Sequence, residues 1–156
     1  MRRSSFAGME CSIARTLEVV GEWWTLLVLR EAFRGVRRFD EMQASLGVAR
    51  NILTARLRTL EAHGIVERRR YQDRPPRFEY RLTGKGRDLY PVLVALMQWG
   101  DRYAVGVDGP PVLLIHTGCD HDANPVLTCG QCGEPVTARD IRAVDIRRPA
   151  ADDQAP

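Results

Sequence analysis

Four hydrogen-bonding side chains occur at helical spacing in the stretch from Val48 to His63. A helix drawn at about 100° per residue brings them within about 100° on one face: Arg50, Asn51, Thr54 and Arg58. The neighbouring face is an apolar stripe: Leu53, Leu57 and Leu60. Arg, Asn and Thr side chains bind phosphates or base edges, and a helix with such a face suits the DNA major groove. An ordinary solvated surface helix has the same pattern, so this stretch alone leaves both interpretations open.

A second set of residues near the C-terminus has the chemistry of metal ligands. Cys119 precedes the pair Cys129-x-x-Cys132, and His116 and His121 flank Cys119. Two cysteines at this spacing can direct both sulfurs at one metal ion, and a second pair completes a tetrahedron. His116-x-x-Cys119 has the same spacing, which favours His116 over His121 as the fourth ligand. The set predicts one structural zinc ion per chain; a redox-active thiol pair and a metal-free ribbon are the alternatives.

The elements expected to position these residues begin with three helices. Ile13, Leu17 and Val20 are helically spaced after Cys11, which predicts a first helix. The apolar run WWTLLVLREAF predicts a buried second helix, with Leu27, Val28 and the tryptophan rings in the core. Arg38 and Phe39 are expected in a short strand, and Asp40 is expected to cap a third helix that ends at Gly47. Gly64 ends the helix that carries the polar face.

A basic hairpin follows that helix. IVERRRYQ and FEYRLT read as short strands around the turn DRPPR. A helix-turn-helix followed at once by such a hairpin is the order of a winged helix, in which the wing reaches the sugar-phosphate backbone or the minor groove. The candidate wing contacts are Arg68, Arg70, Arg74 and Arg77. Arg38 and Ala49 complete the predicted DNA-binding set.

A more apolar helix is predicted after Thr83, which is expected to cap it. Its apolar residues recur at helical spacing: Leu89, Val92, Leu93, Leu96, Trp99 and Tyr103. This is more apolar surface than one packing face requires, which predicts a dimer seam. A two-fold dimer would place two recognition helices about one turn of DNA apart.

Composition and charge narrow the class of protein. The 156 residues are 44% hydrophobic and 28% charged, typical of a soluble globular protein. No apolar run approaches the roughly 20 residues that span a membrane, and the first residues, MRRSSFAGMEC, have no apolar core after the two arginines, so no signal peptide and a cytoplasmic protein are expected. Residues 30–90 contain 15 Lys and Arg against 8 Asp and Glu, so the positive charge coincides with the predicted winged helix. No internal repeat is evident, and no catalytic constellation or phosphate-binding Gly-rich loop predicts an enzyme.

Taken in order, the motifs CSIARTLEVVGEWWTLLVLRE, RFDEM, LTARLRTLEAHGIVER and PPRFEYRLTGKG, followed by a long helix with Trp99, resemble a known family. They look like the HxlR family of bacterial transcription regulators, small winged-helix dimers related to MarR-type regulators. The resemblance covers residues 11–103 and implies a homodimer on palindromic or near-palindromic operator DNA, acting as repressor or activator. It places the recognition helix at Ala49–His63 and the wing at Tyr71–Phe78. Ser12 departs from the family, in which many members have proline there.

Cys11 occupies a position at which family members commonly have a cysteine, in some of them linked to sensing oxidants or electrophiles. A thiolate at a helix N-terminus is stabilised by the helix dipole, which raises its reactivity. Cys11 is therefore a candidate redox sensor, and a packed, inert thiol is the alternative.

The sequence thus predicts an α+β, mainly α chain. Its expected parts are a flexible N-terminus (1–10), a winged helix-turn-helix domain with dimerisation helices (11–107), a small Cys/His β-ribbon (108–140) and a disordered tail (141–156). The predicted partners are operator DNA, a second copy of the chain and a small-molecule effector, with no membrane. The alternative is a zinc-ribbon winged-helix adaptor that binds protein instead of DNA.

Overall fold

The computed structural model describes residues 5–6 and 8–146. Residues 1–4 and 7 of the expected flexible N-terminus, and residues 147–156 of the expected tail, lie outside the described residues. The chain divides into two compact units, Met1–Gly109 and Pro110–Pro156. In the described part of the chain, no helix combines the length and the apolar character needed to cross a membrane.

The first unit is mainly helical with one antiparallel hairpin, which confirms the predicted fold class. Its elements, in chain order, are α1 (Ser12–Val20), α2 (Trp23–Phe33), α3 (Phe39–Leu46), α4 (Arg50–Ala62), β1 (Val66–Gln72), β2 (Arg77–Leu82), α5 (Gly84–Arg87) and α6 (Tyr90–Tyr103). Strands β1 and β2 pair antiparallel from Val66 opposite Leu82 to Gln72 opposite Arg77. The wing is therefore formed by the two strands that the sequence predicted.

The leucine stripe of α4 is the centre of the core. Leu53, Leu57 and Leu60 are buried and pack with Val28 and Met42 of the two preceding helices. Burying each leucine side chain contributes about 2 kcal/mol. Because the leucine face of α4 is fixed in the core, the neighbouring polar face lies at the surface, where Arg50, Asn51 and Arg58 are exposed.

The buried face of α2 differs from the prediction. Val28 is buried as expected, but Trp23 is 88% exposed and Leu27 lies at the surface. Thr25 and Glu31 are buried in their place. An 11-residue helix that is apolar on nearly every side gives no periodic signal for its core face, so the neighbouring helices decide which side is covered.

The sequence predicted Asp40 as the N-cap of α3, and this prediction is wrong. The cap is Arg38, the helix begins at Phe39, and Asp40 lies in the first turn. The amide of Tyr80 donates to the Arg37 carbonyl at 2.8 Å, and Arg38 forms a β-bridge with Glu79. This pairing with the wing ends the extended segment at Arg38, so the helix starts two residues earlier than a capping Asp40 would allow. Gly47, with φ of +61°, then ends α3 in the left-handed region that favours glycine.

The helix predicted after Thr83 is divided into two. Thr83 caps α5 as expected, since its hydroxyl accepts from the Gly86 amide at 3.1 Å. A Cβ on Gly86 would meet the Ile65 carbonyl oxygen at 2.1 Å, so the close packing of α5 on the connection between α4 and β1 requires glycine. The longer α6 follows, and Val94 is its one buried residue.

The second unit contains a short hairpin of β3 (Ile115–His116) and β4 (His121–Asp122). A single antiparallel bridge, Thr128 to Pro135, forms further along the chain. No residue from 110 to 146 is buried. Strands β3 and β4 are thus only two residues long each, in a segment without an apolar core among its described residues.

Candidate nucleic-acid interface

A basic groove of about 600 Å³ lies between the start of the helix-turn-helix and the wing. Helices α3 and α4 form one wall, and strands β1 and β2 form the other. Its basic lining residues are Arg38, Arg50, Arg58, Arg68 and Arg77. Its aromatic lining residues are Phe39, Tyr71, Phe78 and Tyr80. Five of the 15 basic residues of segment 30–90 thus lie on one concave surface, together with the carboxylates of Asp40, Glu41 and Glu61.

The first turn of α4 directs Arg50 along this groove. Its guanidinium carbon lies 4.7 Å from the centre of the Phe39 ring, and its Nη1 is 3.7 Å from the Asp40 carboxylate. Both members of this ion pair are largely exposed, so the pair contributes little to stability. Stacking on Phe39 restricts the Arg50 side chain while leaving its N–H donors available.

The other predicted residues of α4 have different environments. Thr54 lines the groove, but its hydroxyl donates to the Arg50 carbonyl at 2.8 Å. Arg58 is exposed one helical turn further on and also lines the groove. Asn51 is exposed in the first turn, outside the groove lining, and Ala49 is the N-cap.

Strand alternation separates the consecutive arginines of β1 onto two faces. Arg68 lies opposite Tyr80, and its guanidinium carbon is 3.6 Å from the centre of the Phe78 ring in the groove. Arg69 lies on the other face of the hairpin and forms an ion pair with Glu67 at 2.6 Å. Of these two consecutive arginines, only Arg68 lines the basic groove.

Arg70 stabilises the wing turn and does not line the groove. It donates to the Asp73 carbonyl at 2.8 Å and forms an ion pair with the Asp73 carboxylate at 3.1 Å. Arg74 lies in the same turn, where its carbonyl accepts from the Gln72 side chain at 3.0 Å. Of the wing contacts predicted from sequence, Arg68 and Arg77 thus line the groove, whereas Arg70 and Arg74 belong to the tip.

Arg38 joins the two walls of the groove. Its guanidinium carbon is 4.9 Å from the centre of the Tyr71 ring, and its Nη1 is 3.5 Å from Glu41. Three of the five groove arginines are therefore stacked on aromatic rings. These stacking rings were not predicted from the sequence. For Phe78 the signal was available, because strand alternation places Phe78 and Tyr80 on the face shared with Arg68. Burial raises the pKa of Tyr80, so its hydroxyl remains a donor at neutral pH.

A buried carboxylate fixes α3, the first helix of the helix-turn-helix. Glu31 of α2 is 1% exposed and accepts from the Ser45 hydroxyl of α3 at 2.8 Å and from Arg30 at 2.9 Å. Arg34 lies 3.4 Å away. Burial acts to raise the pKa of Glu31, but the hydrogen bonds from Ser45 and Arg30 and the charges of Arg30 and Arg34 together lower it. This role of Glu31 was not predicted from the sequence.

The predicted metal ligands form two pairs. His116 Nδ1 lies 3.2 Å from Cys119 Sγ, and the Cys129 thiol has Cys132 beside it. Hydrogen bonds from the backbone of Cys132 and Gln131 lower the pKa of Cys129. His121, the alternative ligand, directs Nδ1 at the Cys119 carbonyl. Among residues 5–6 and 8–146, no point gathers three or more His, Cys, Asp or Glu side chains in a metal-binding arrangement.

Cys11 is the N-cap residue of α1, as the redox hypothesis requires. It is half-buried and makes no capping hydrogen bond with its side chain.

Comparison with known proteins identifies close relatives. A family model described as HxlR-like helix-turn-helix matches residues 19–107. The HTH-type transcriptional regulator Rv3095 of Mycobacterium tuberculosis, itself uncharacterised, is 52% identical over 130 residues, which are 83% of this chain and 82% of the relative.

Solved structures extend the likeness. The crystal structure of PA1607, described as a transcription factor, superimposes with a TM-score of 0.81 at 40% identity, covering 90% of this chain and 99% of that one. This share is larger than the first unit alone, so the match includes part of residues 110–146. The redox regulator HypR in its oxidised form has a TM-score of 0.57 at 35% identity and covers 62% of this chain and 100% of its own.

Proposed function

The chain belongs to the HxlR-like helix-turn-helix family and is a transcriptional regulator, and from this we propose that it binds operator DNA as a homodimer in the cytoplasm. In this proposal α4 enters the major groove and the wing contacts the sugar-phosphate backbone or the minor groove. The comparisons give no support to the adaptor alternative. The observation that carries the proposal is the groove in which arginines from α4 and from the wing face one another.

The roles of the groove residues follow from their elements. Arg50 and Asn51 lie in the first turn of α4, the part of a recognition helix that reaches base edges. Arg68 and Arg77 lie on the wing strands, where a guanidinium meets phosphate oxygens in two-point hydrogen bonds. We therefore assign base recognition to the helix and backbone contact to the wing.

The proposed dimer is supported by the surface of α6. This helix buries only Val94, while Leu96, Trp99 and Tyr103 are 49%, 62% and 65% exposed. Ile13 of α1 is also 72% exposed. Exposed apolar residues on helices that flank a winged helix are typical of a surface that another chain covers. Since a palindromic operator has two equal half-sites, we expect the covering chain to be a second copy of this protein.

Direct binding tests this proposal. Duplexes tiled across the DNA upstream of the gene would be titrated with the full chain, with sedimentation to measure its mass. We expect one tile to bind at least about 1,000-fold more tightly than scrambled duplexes, with two chains per site. Equal affinity for every duplex would contradict sequence-specific recognition, and a monomer on a single half-site would contradict the dimer.

Two signal inputs are proposed with this function. Cys11 is proposed as a thiol switch, supported by its position at the start of α1 and by the existence of a related redox regulator. A small-molecule effector is proposed to bind in a second groove of about 790 Å³, which is lined by residues of α2, the hairpin and α6, among them Phe33, Arg69 and Tyr90.

A further inference from the structure

The second unit contains a structural repeat that the sequence analysis did not detect. One hairpin spans residues 114–123 and the next spans residues 127–136, so only residues 124–126 separate them. Each residue of the first has its counterpart thirteen positions later, as with 116 and 129 or 119 and 132.

Matching backbone hydrogen bonds close the two hairpins. The Ala123 amide donates to the Leu114 carbonyl at 2.7 Å, and the Val136 amide donates to the Leu127 carbonyl at 3.0 Å. One step further in, a β-pair joins residues 115 and 122, and a β-bridge joins residues 128 and 135. The pairing register is therefore the same in both.

The turns at the two tips are also equivalent. The Asp120 amide donates to the His116 carbonyl at 2.8 Å, and the Gly133 amide donates to the Cys129 carbonyl at 2.8 Å. Asp120 and Gly133 both have positive φ, at 57° and 77°. Because the backbone is left-handed at the same position of both turns, the first and fourth residues of one turn are placed on the backbone as they are in the other turn.

Those first and fourth positions hold the four predicted ligands. In the first turn His116 lies within 3.2 Å of Cys119, and a Cβ on Gly118 would be 2.9 Å from the His116 ring, so glycine leaves room for the ring to fold toward the sulfur. In the second turn the backbone of Gln131 and Cys132 hydrogen-bonds to the Cys129 sulfur.

Residues 110–146 also have no buried apolar core that could stabilise them. None of these residues is buried, and apolar side chains such as Leu127 and Ile141 are 75% and 63% exposed. A segment of this size with no core is ordinarily held by disulfides, a metal ion or a partner. All four cysteines of the chain are free thiols.

We propose that the two hairpins bind one Zn²⁺ between them through His116, Cys119, Cys129 and Cys132. Three thiolates and one imidazole form a closed tetrahedral set, which is the pattern of a structural site without an open position for catalysis. Binding releases the thiol protons to solvent and leaves the oxidation state of the metal and the sulfurs unchanged. The two pairs are separate among the described residues, so the ion would link the two hairpins directly. This site is independent of the DNA groove in the first unit.

Metal analysis of the full chain, purified without chelator, tests the site. We expect one equivalent of zinc per chain, retained on dialysis, and an absorption spectrum typical of tetrahedral cobalt thiolate when Co²⁺ replaces it. Cys132→Ser is expected to lose the metal on dialysis. The matched controls are Cys11→Ser, which removes a thiol outside the set, and His121→Ala, which removes the other histidine; both are expected to retain one equivalent.

A second variant separates ligation from folding. His116→Cys keeps four ligands and is expected to retain zinc while shifting the cobalt spectrum toward four thiolates. Three results would overturn the site: a wild-type chain without zinc, a Cys129–Cys132 disulfide in its place, or equal zinc loss in Cys11→Ser. Operator binding is measured on the same samples, so that failure of the zinc site and failure of the proposed DNA-binding function are distinguished.

Discussion

Arg68 and Arg69 are consecutive in sequence, carry the same charge and lie on opposite faces of the wing, so they form a matched pair for testing the DNA groove. Arg68→Ala removes a guanidinium held over Phe78 in the groove, whereas Arg69→Ala removes one that pairs with Glu67 on the other face. Both variants change the net charge equally. Long-range attraction to DNA is therefore the same in each, and a difference between them reports contact.

The expected magnitudes follow from these environments. A charged hydrogen bond to phosphate contributes about 1.5 kcal/mol to the free energy of binding. Losing that bond from one wing should raise the dissociation constant about tenfold. Loss of one phosphate contact also reduces the slope of log K against log salt by about 0.9. Arg68→Ala should change folding stability by less than about 1 kcal/mol, because an exposed cation–π contact contributes little. Arg69→Ala should change affinity less than about twofold, since it loses only the screened long-range term.

Fluorescence anisotropy with a labelled operator duplex, repeated over a series of salt concentrations, measures both quantities. Thermal unfolding of each variant shows whether folding has been affected. Equal weakening by Arg68→Ala and Arg69→Ala, with equal salt slopes, would refute the assignment of the groove as the DNA-contacting surface.

Four further predictions concern other parts of the chain. Arg50→Ala should lower affinity by about 1–3 kcal/mol and relax base preference at one operator position, measured with single-substitution duplexes; a uniform loss across all duplexes would contradict base recognition by α4. Leu96→Asp should shift the chain to monomer in sedimentation, and an unchanged mass would place the dimer surface elsewhere. Glu31→Gln should lower the free energy of unfolding by about 2 kcal/mol at neutral pH. Because the folded-state pKa of Glu31 is lowered below its ordinary 4.5, this stabilisation is complete above that value and is lost as the pH falls through the folded pKa, so denaturant melts of the two proteins should converge in acid. Cys11→Ser should abolish any change in operator affinity on mild oxidation, and equal responses of variant and wild type would exclude the thiol switch.

The fold was predictable wherever one face of an element is polar. The leucines of α4 and the hairpin strands were identified because their periodicity distinguishes buried from exposed positions. For α2 this distinction fails, since apolar residues surround the helix, and the burial of Thr25 and Glu31 instead of Trp23 follows from tertiary packing. The start of α3 is likewise decided by a distant strand, because Arg37 and Arg38 pair with Tyr80 and Glu79.

The candidate interface was predictable in its elements and less so in its details. Sequence placed arginines on α4 and on the wing, but the folding of Arg70 onto Asp73 depends on the shape of the turn, which residue types alone do not specify. The repeat in the second unit was missed for a related reason. The two hairpins are equivalent in hydrogen-bond register and in backbone dihedral angles. Few of the residues at equivalent positions, thirteen apart in the chain, are identical; Cys119 and Cys132 are one such pair.

The stacked arginines have a thermodynamic consequence for recognition. Arg38, Arg50 and Arg68 each lie within 5 Å of the centre of an aromatic ring, so much of their rotamer freedom is lost when the chain folds. An unrestrained arginine would lose up to about 2 kcal/mol of side-chain entropy on forming its contact with DNA. With DNA bound in the proposed groove, the rings are expected to contribute to affinity by restricting these arginines before binding. Replacing Phe39, Tyr71 or Phe78 with leucine should make the entropy of operator binding less favourable while leaving every charge in the groove in place.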